Sequence, residues 1–416
     1  MIERLLNNRV SIGAVAILLL STCLYLPYIQ SSRDNRTLLI GILCLACVSG
    51  LLWRYTKLGA LLLGFVTIRF YFATSDWIGT PIYTIFCMSL LLLVGLRTYP
   101  QWKDKKELIY NTICLVALLN VVFQVLQFNG IHGPLKFRYD MSLFRLGACG
   151  LMGNPNEVSC LLAMCLPMFF RKQWRLGIII VVIGLFLAKS LVGFVAGGAA
   201  TVFYVFLMYD KNQVTDSLRR IIIVLSVCFL LGVYAVKIDR LDIPEQVKHR
   251  GMVYATTAKV ALVKWQGWGF GQYQYVMPLF TFSGSAPAYY VDFLLSNVTD
   301  MKGLEKGILK ITGTKDVTKA REYFAKHTTP APFAQAHNEY LEFFFSTGII
   351  GSIFALLFMF SVMRSGVEHK DKLPVLCLIA SGVSAMFFFP WQIVPTAILT
   401  VAFIVMIIGE KQCEVR

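Results

Sequence analysis

Charge is scarce in this chain. Only 15% of its 416 residues are Asp, Glu, Lys or Arg, against roughly 25% in soluble domains. With 57% hydrophobic residues and a mean hydropathy of +0.65, that shortage excludes an ordinary water-soluble globule. Acid is scarcer than base: 23 Asp and Glu face 39 Lys and Arg, which leaves a net charge of +16. Histidine is limited to five residues. No clustered His, Asp and Glu set with metal-ligand spacing emerges, and no Ser-His-Asp arrangement is evident. Cysteine is present, 11 in all, but residues 238–338, the largest polar segment, contain none. That excludes a disulfide framework there, and no paired Cys-x-x-Cys units with zinc spacing appear elsewhere. Cys23, Cys44, Cys47, Cys114 and Cys165 sit in or near apolar runs and read as buried membrane thiols.

Long apolar runs dominate what remains. They lie near 10–29, 37–53, 58–73, 80–96, 108–128, 156–170, 175–189, 191–208, 219–237, 340–363, 374–388 and 392–408. A bilayer-spanning helix needs about 20 residues, somewhat fewer at the short end. The pattern predicts an all-α polytopic membrane protein of about 12 transmembrane helices, with 1–416 forming a single integral membrane domain. The first run leads straight into others and reads as a retained span. Basic residues gather in alternate turns, as Arg97, Lys103, Lys105 and Lys106 do. The positive-inside rule then puts both termini in the cytoplasm and the loop 238–338, between helices nine and ten, outside. This accounts for the basicity through the lipid bilayer as partner, and nucleic acid is not needed.

Arg69 stands inside the short third run, facing a cavity or snorkelling to the outer interface. The first sizeable outer loop, 129–155, carries Lys136-Phe137-Arg138-Tyr139-Asp140 and then Arg145. It runs into Gly153-Asn154-Pro155-Asn156. Proline suits the first turn of a helix and Asn is a good N-cap, so a capped membrane helix is one reading. The other is an anion site at that helix start, completed by Arg145. After Lys189-Ser190, the small residues Gly193, Gly197 and Gly198 fit close helix packing.

The long loop has three parts. The first holds His249-Arg250 and a predicted helix from Met252 to Trp265. It closes in Gly267-Trp-Gly-Phe-Gly271, a tight turn and not a nucleotide motif, because no strand–helix context surrounds it. The second, 278–330, is polar, and Lys302, Lys306 and Lys310 recur there at helical spacing beside apolar residues, as on a membrane-surface helix or a solvated one. The third approaches Ala336-His337-Asn338-Glu339-Tyr340-Leu341-Glu342. Acids favour a helix start, and His337 titrates near neutral pH and can serve as a general base. Arg250 is either a surface residue or a bidentate phosphate clamp.

These blocks, taken in order, resemble the O-antigen ligase / O-antigen polymerase superfamily. They are Arg145-x7-Gly153-Asn-Pro-Asn, the Lys189-Ser190 junction, His249-Arg250 with Gly267-Trp-Gly-Phe-Gly-Gln-Tyr, and Ala336-His-Asn-Glu-Tyr-Leu-Glu running to Thr347-Gly-Ile-Ile-Gly351. The resemblance spans about 140–365. It implies a GT-C-like membrane glycosyltransferase that takes a glycan from undecaprenyl pyrophosphate on the periplasmic side of the bacterial inner membrane, without metal, cofactor or nucleotide sugar. The acceptor is a sugar of lipid A-core in the ligases, a second lipid-linked unit in the polymerases, or a protein Ser or Thr in a third branch. By position, Arg145 and Arg250 match arginines near the pyrophosphate, and His337 matches the histidine that activates the acceptor or binds phosphate. Asn154, Asn156, Asn338, Lys189 and Arg138 are the expected substrate contacts. One departure is Ser190-Leu191, where the family often has Ser-Arg. Ligase is the leading expectation. The spacing Arg240-x10-Gly251 favours a polymerase only weakly. A transporter or flippase of twelve spans is the alternative from another class; a carrier expects internal repeats and broken helices at mid-membrane, whereas here the polar signatures cluster at the outer face and the largest loop is external.

Overall fold

The computed structural model describes residues 79–131, 147–209, 226–234, 243–269, 273, 277, 336, 338–368, 371–388 and 390–415. The first three expected spans, with Arg69, lie outside these residues. So do Arg138, Arg145, Arg240, residues 278–330 and His337. Among the described residues the chain is mostly helical and contains no strand.

The helices follow the apolar runs. In chain order they are α1 (Gly79–Trp102), α2 (Lys106–Phe128), α3 (Pro155–Cys165), α4 (Arg175–Ala188), α5 (Leu191–Tyr209), α6 (Ile243–Val263), α7 (Glu339–Glu368), α8 (Leu373–Ala385) and α9 (Val394–Val415). Residues 226–234 are also helical. Among the described residues three stretches are long and apolar enough to cross a membrane, Lys103–Phe128, Glu339–Glu368 and Pro395–Cys413, which fits a membrane protein. Other apolar helices are shorter, as Leu191–Leu207 and Arg175–Ala188 are.

Local chemistry sets several boundaries. The expected run 156–170 is an α-helix only to Cys165 and then tightens into a 3-10 segment, Leu166–Phe170. Pro167 has no N–H to give to the carbonyl four residues back, so the regular ladder stops there. Helix α4 ends at Lys189, whose φ of 50° is left-handed. Helix α7, expected as one uninterrupted run, is broken at Gly348, with φ 70° and ψ −168°.

Contacts group the chain into two compact units. Among the described residues, one comprises those within 83–241 and 360–416, and the other those within 79–82 and 242–359. In the first, α5 packs on α3 and α8, and α2 packs on α4. Small residues let the backbones approach. A Cβ on Gly193 would stand 2.6 Å from that of Ser159, and one on Gly184 would stand 2.6 Å from a methyl of Val121. Side-chain hydroxyls join α8 to α9, with Ser381 Oγ and Thr400 Oγ1 2.9 Å apart and the Trp391 indole donating to Ser381. Such polar contacts replace water where none is available.

The end of this unit that carries the basic turn is tied by charge. Lys106 pairs with Glu410 and Arg171 with Glu107. The Tyr110 hydroxyl donates to Asp371 at 2.6 Å, and Asn111 accepts from the Trp174 indole at 2.9 Å.

In the second unit, the turn after α6 is strapped to the first part of α7. Trp268 N–H donates to the Phe345 carbonyl at 2.8 Å, Gly269 N–H to Ser346 at 2.9 Å, and Ile349 N–H to Trp265 at 2.9 Å. Gly267 (φ +86°) and Gly348 (φ +70°) meet here backbone to backbone; a Cβ on Gly267 would sit 2.5 Å from Gly348 N. Only glycine tolerates both the left-handed φ and that approach. The Trp268 ring stacks on Phe345 at 6.1 Å, and its indole donates to the Val260 carbonyl at 2.9 Å.

Candidate functional site

The first polar signature forms a built helix start. Asn154 is extended (φ −143°, ψ 135°), and its side chain accepts from the Asn156 N–H at 2.8 Å. Pro155 follows at the first helical position. The Asn156 carboxamide oxygen in turn accepts from the Ser190 hydroxyl at 2.8 Å. The structure therefore brings together Asn154, Asn156 and the Lys189–Ser190 junction, two motifs 34 positions apart in the chain. The left-handed turn at Lys189 makes this possible. It ends α4 one residue before Ser190, which is buried and directed at Asn156. Because the cap engages the Asn156 N–H, what this helix start retains for an anion is chiefly its dipole.

A set of residues that the sequence reading passed over holds the approach to this helix. Asn120, Gln124 and Gln127 lie at i, i+4 and i+7 on α2 and are buried. Gln127 Oε1 accepts from the N–H groups of Cys149 and Gly150 at 3.0 and 2.9 Å, and its Nε2 donates to the Gly150 carbonyl at 2.8 Å. Asn120 Oδ1 accepts from Leu151 N–H at 3.0 Å. Gln124 Nε2 donates to Ala148 and Gly184 at 3.2 and 3.1 Å. Three amides therefore serve the backbone of 148–151, of which 148–150 are buried and need partners from the protein. The available signal was three polar residues on one stripe of the otherwise apolar run 113–128 of α2. Within this segment burial pushes the Cys149 thiol up to about 12, so it stays protonated and is not a nucleophile at neutral pH.

Two further predicted residues, Arg250 and Asn338, belong to the second unit. Arg250 is half-buried on α6, one turn before Tyr254. Burial raises the Tyr254 phenol above its usual value while the Arg250 charge works in the opposite direction. Asn338 caps α7: its side chain accepts from Leu341 N–H at 3.0 Å and its carbonyl from Glu342 N–H at 3.0 Å. The acids expected at this helix start are buried, Glu339 at 5% and Glu342 at 8% exposure. Glu342 accepts from the Ala336 N–H at 3.2 Å, which fixes the chain on the near side of His337. Tyr273 stands edge-on to Phe345, and its hydroxyl lies 2.8 Å from that of Thr257. Burial raises the Tyr273 phenol, and the Glu342 charge adds to the effect.

Among the described residues no group of three or more His, Cys, Asp or Glu is placed to hold a metal ion. Comparison with models of protein families and with curated proteins finds no match to this chain.

Proposed function

We propose that the protein is an O-antigen ligase-like glycosyltransferase of the inner membrane. In this reading about twelve helices of GT-C-like arrangement carry a periplasmic loop over 238–338. The enzyme moves a glycan from undecaprenyl pyrophosphate to a sugar hydroxyl of lipid A-core. The acceptor oxygen attacks the anomeric carbon as the bond to the pyrophosphate oxygen breaks, which inverts that centre. The acceptor proton goes to His337, and the lipid pyrophosphate leaves with the bond's electron pair. Arg145 and Arg250 neutralise the charge that grows on the leaving oxygen, and the α3 dipole adds to it. Asn154, Asn156, Asn338, Lys189 and Arg138 line the route of the substrates.

The observation that carries the reading is the hydrogen bond from Ser190 to Asn156. It joins into one helix start the two polar signatures whose order suggested the family. The strap at Gly267–Gly269 supports it further, because it ties the other two blocks together through Phe345 and Ser346.

The test is a lipopolysaccharide ladder from a strain lacking the gene, complemented with wild type, His337→Ala or Arg250→Ala. Loss of every O-antigen band, with lipid-linked polymer accumulating, is the expected result for the deletion and for His337→Ala. Core bearing a single repeat unit instead would make it a polymerase. An unchanged ladder in the deletion strain would remove both readings. Full transfer by Arg250→Ala would remove the clamp role.

A further inference from the structure

A groove of about 260 Å³ opens between α1 and α9, at the level where both helices change from apolar to charged. On α1 the apolar run reaches Leu96 and gives way to Arg97 and then to the turn Lys103-Asp104-Lys105. On α9 it reaches Ile408 and gives way to Glu410 and Lys411. Leu93, Leu96 and Pro100 form the apolar side of the groove; Arg97 and Gln412 form its polar end.

Its walls are closely packed. Tyr99 is fully buried against Gly409, and its hydroxyl donates to Glu410 at 3.1 Å. One turn earlier, Gly95 lets the Val405 side chain approach, with 2.7 Å left for a Cβ. The nearby cations differ in one respect. Lys106 is matched by Glu410 and Lys411 by Glu368, whereas exposed Arg97 has no ion-pair or hydrogen-bond partner among the described residues. A guanidinium facing outward beside leucines at a polar–apolar boundary is matched by an amphiphile with an anionic head. Basic pockets between transmembrane helices at the cytoplasmic side recognise such heads.

We propose that this groove binds one anionic glycerophospholipid. The phosphodiester sits on Arg97 and Gln412, and an acyl chain lies along Leu93 and Leu96. The site is independent of the proposed glycosyl transfer.

The test is native mass spectrometry of the full, delipidated chain titrated with phosphatidylglycerol or phosphatidylcholine. The wild type is expected to prefer one phosphatidylglycerol by about five-fold, the effect of one basic residue near a membrane surface. Arg97→Gln should lower that preference to near unity, Arg97→Lys should keep part of it, and Lys103→Gln, in the exposed turn beyond the groove, should leave it intact. Equal losses in Arg97→Gln and Lys103→Gln would mean a diffuse basic field and overturn the site. Equal binding of the two lipids by the wild type would overturn it without any variant. Displacement of the lipid by millimolar inorganic phosphate would assign the groove to phosphate alone and also overturn it.

Discussion

Replacing Gln127 by leucine tests the idea that an amide on α2 holds the approach to the candidate site. The side chain is 5% exposed and makes three hydrogen bonds, to the Cys149 N–H, the Gly150 N–H and the Gly150 carbonyl. Leucine fills similar space but leaves two donors and one acceptor buried and unserved. Each such group costs about 1–3 kcal/mol, so a loss of roughly 3–6 kcal/mol is expected after partial relaxation. At about 2.1 cal/mol/K per residue, a 416-residue domain loses roughly 1 °C per kcal/mol, which predicts a fall in apparent Tm of at least about 3 °C. Unfolding in detergent is irreversible for many membrane proteins, so wild type and variant are compared at one scan rate, by the fraction still monodisperse after heating. Phe128→Leu is the control, since Phe128 is the next residue on the helix and 71% exposed. A Gln127→Leu protein melting within about 1 °C of wild type would refute the reasoning, because the strand of backbone at 148–151 would then need no partner from α2.

Gly348→Ala should leave little folded protein in a size-exclusion profile, because its φ/ψ is one that only glycine adopts freely and its Cβ would strike the Trp265 carbonyl. Gly251→Ala, on α6 with open space around it, should instead melt slightly higher, by the helix-propensity gain of up to about 1 kcal/mol. The raised Tyr273 phenol makes a pH prediction. The folded state holds that proton more tightly than the unfolded chain, so its contribution is intact below about pH 10 and is lost as pH rises further. Thermal stability measured from pH 8 to 11 should therefore fall above pH 10, and fall less steeply in Tyr273→Phe. An equal slope in both proteins would show that other groups carry the loss.

The tight turn at Gly267–Gly269 was legible in the chain, as was the capped start at Asn154-Pro155. The cap that the Asn338 side chain gives α7 was not legible: its place beside His337 suggested a substrate contact, and only the helix geometry reveals that its oxygen also reaches the Leu341 N–H.

Among the described residues the sequence by itself determined which runs are helical, though not each boundary: the helix expected over Met252–Trp265 starts earlier, at Ile243, and hydropathy, caps and proline act only within a few residues of chain. It also determined that Gly193 would meet a close neighbour, though not that the neighbour is Ser159. Tertiary structure alone decided the pairing of Ser190 with Asn156, the amide stripe of α2 under 148–151, and the meeting of Gly267 with Gly348. Each of these joins groups more than twenty positions apart. In an apolar interior every buried N–H and C=O needs a partner, and which distant residue supplies it depends on how the helices pack.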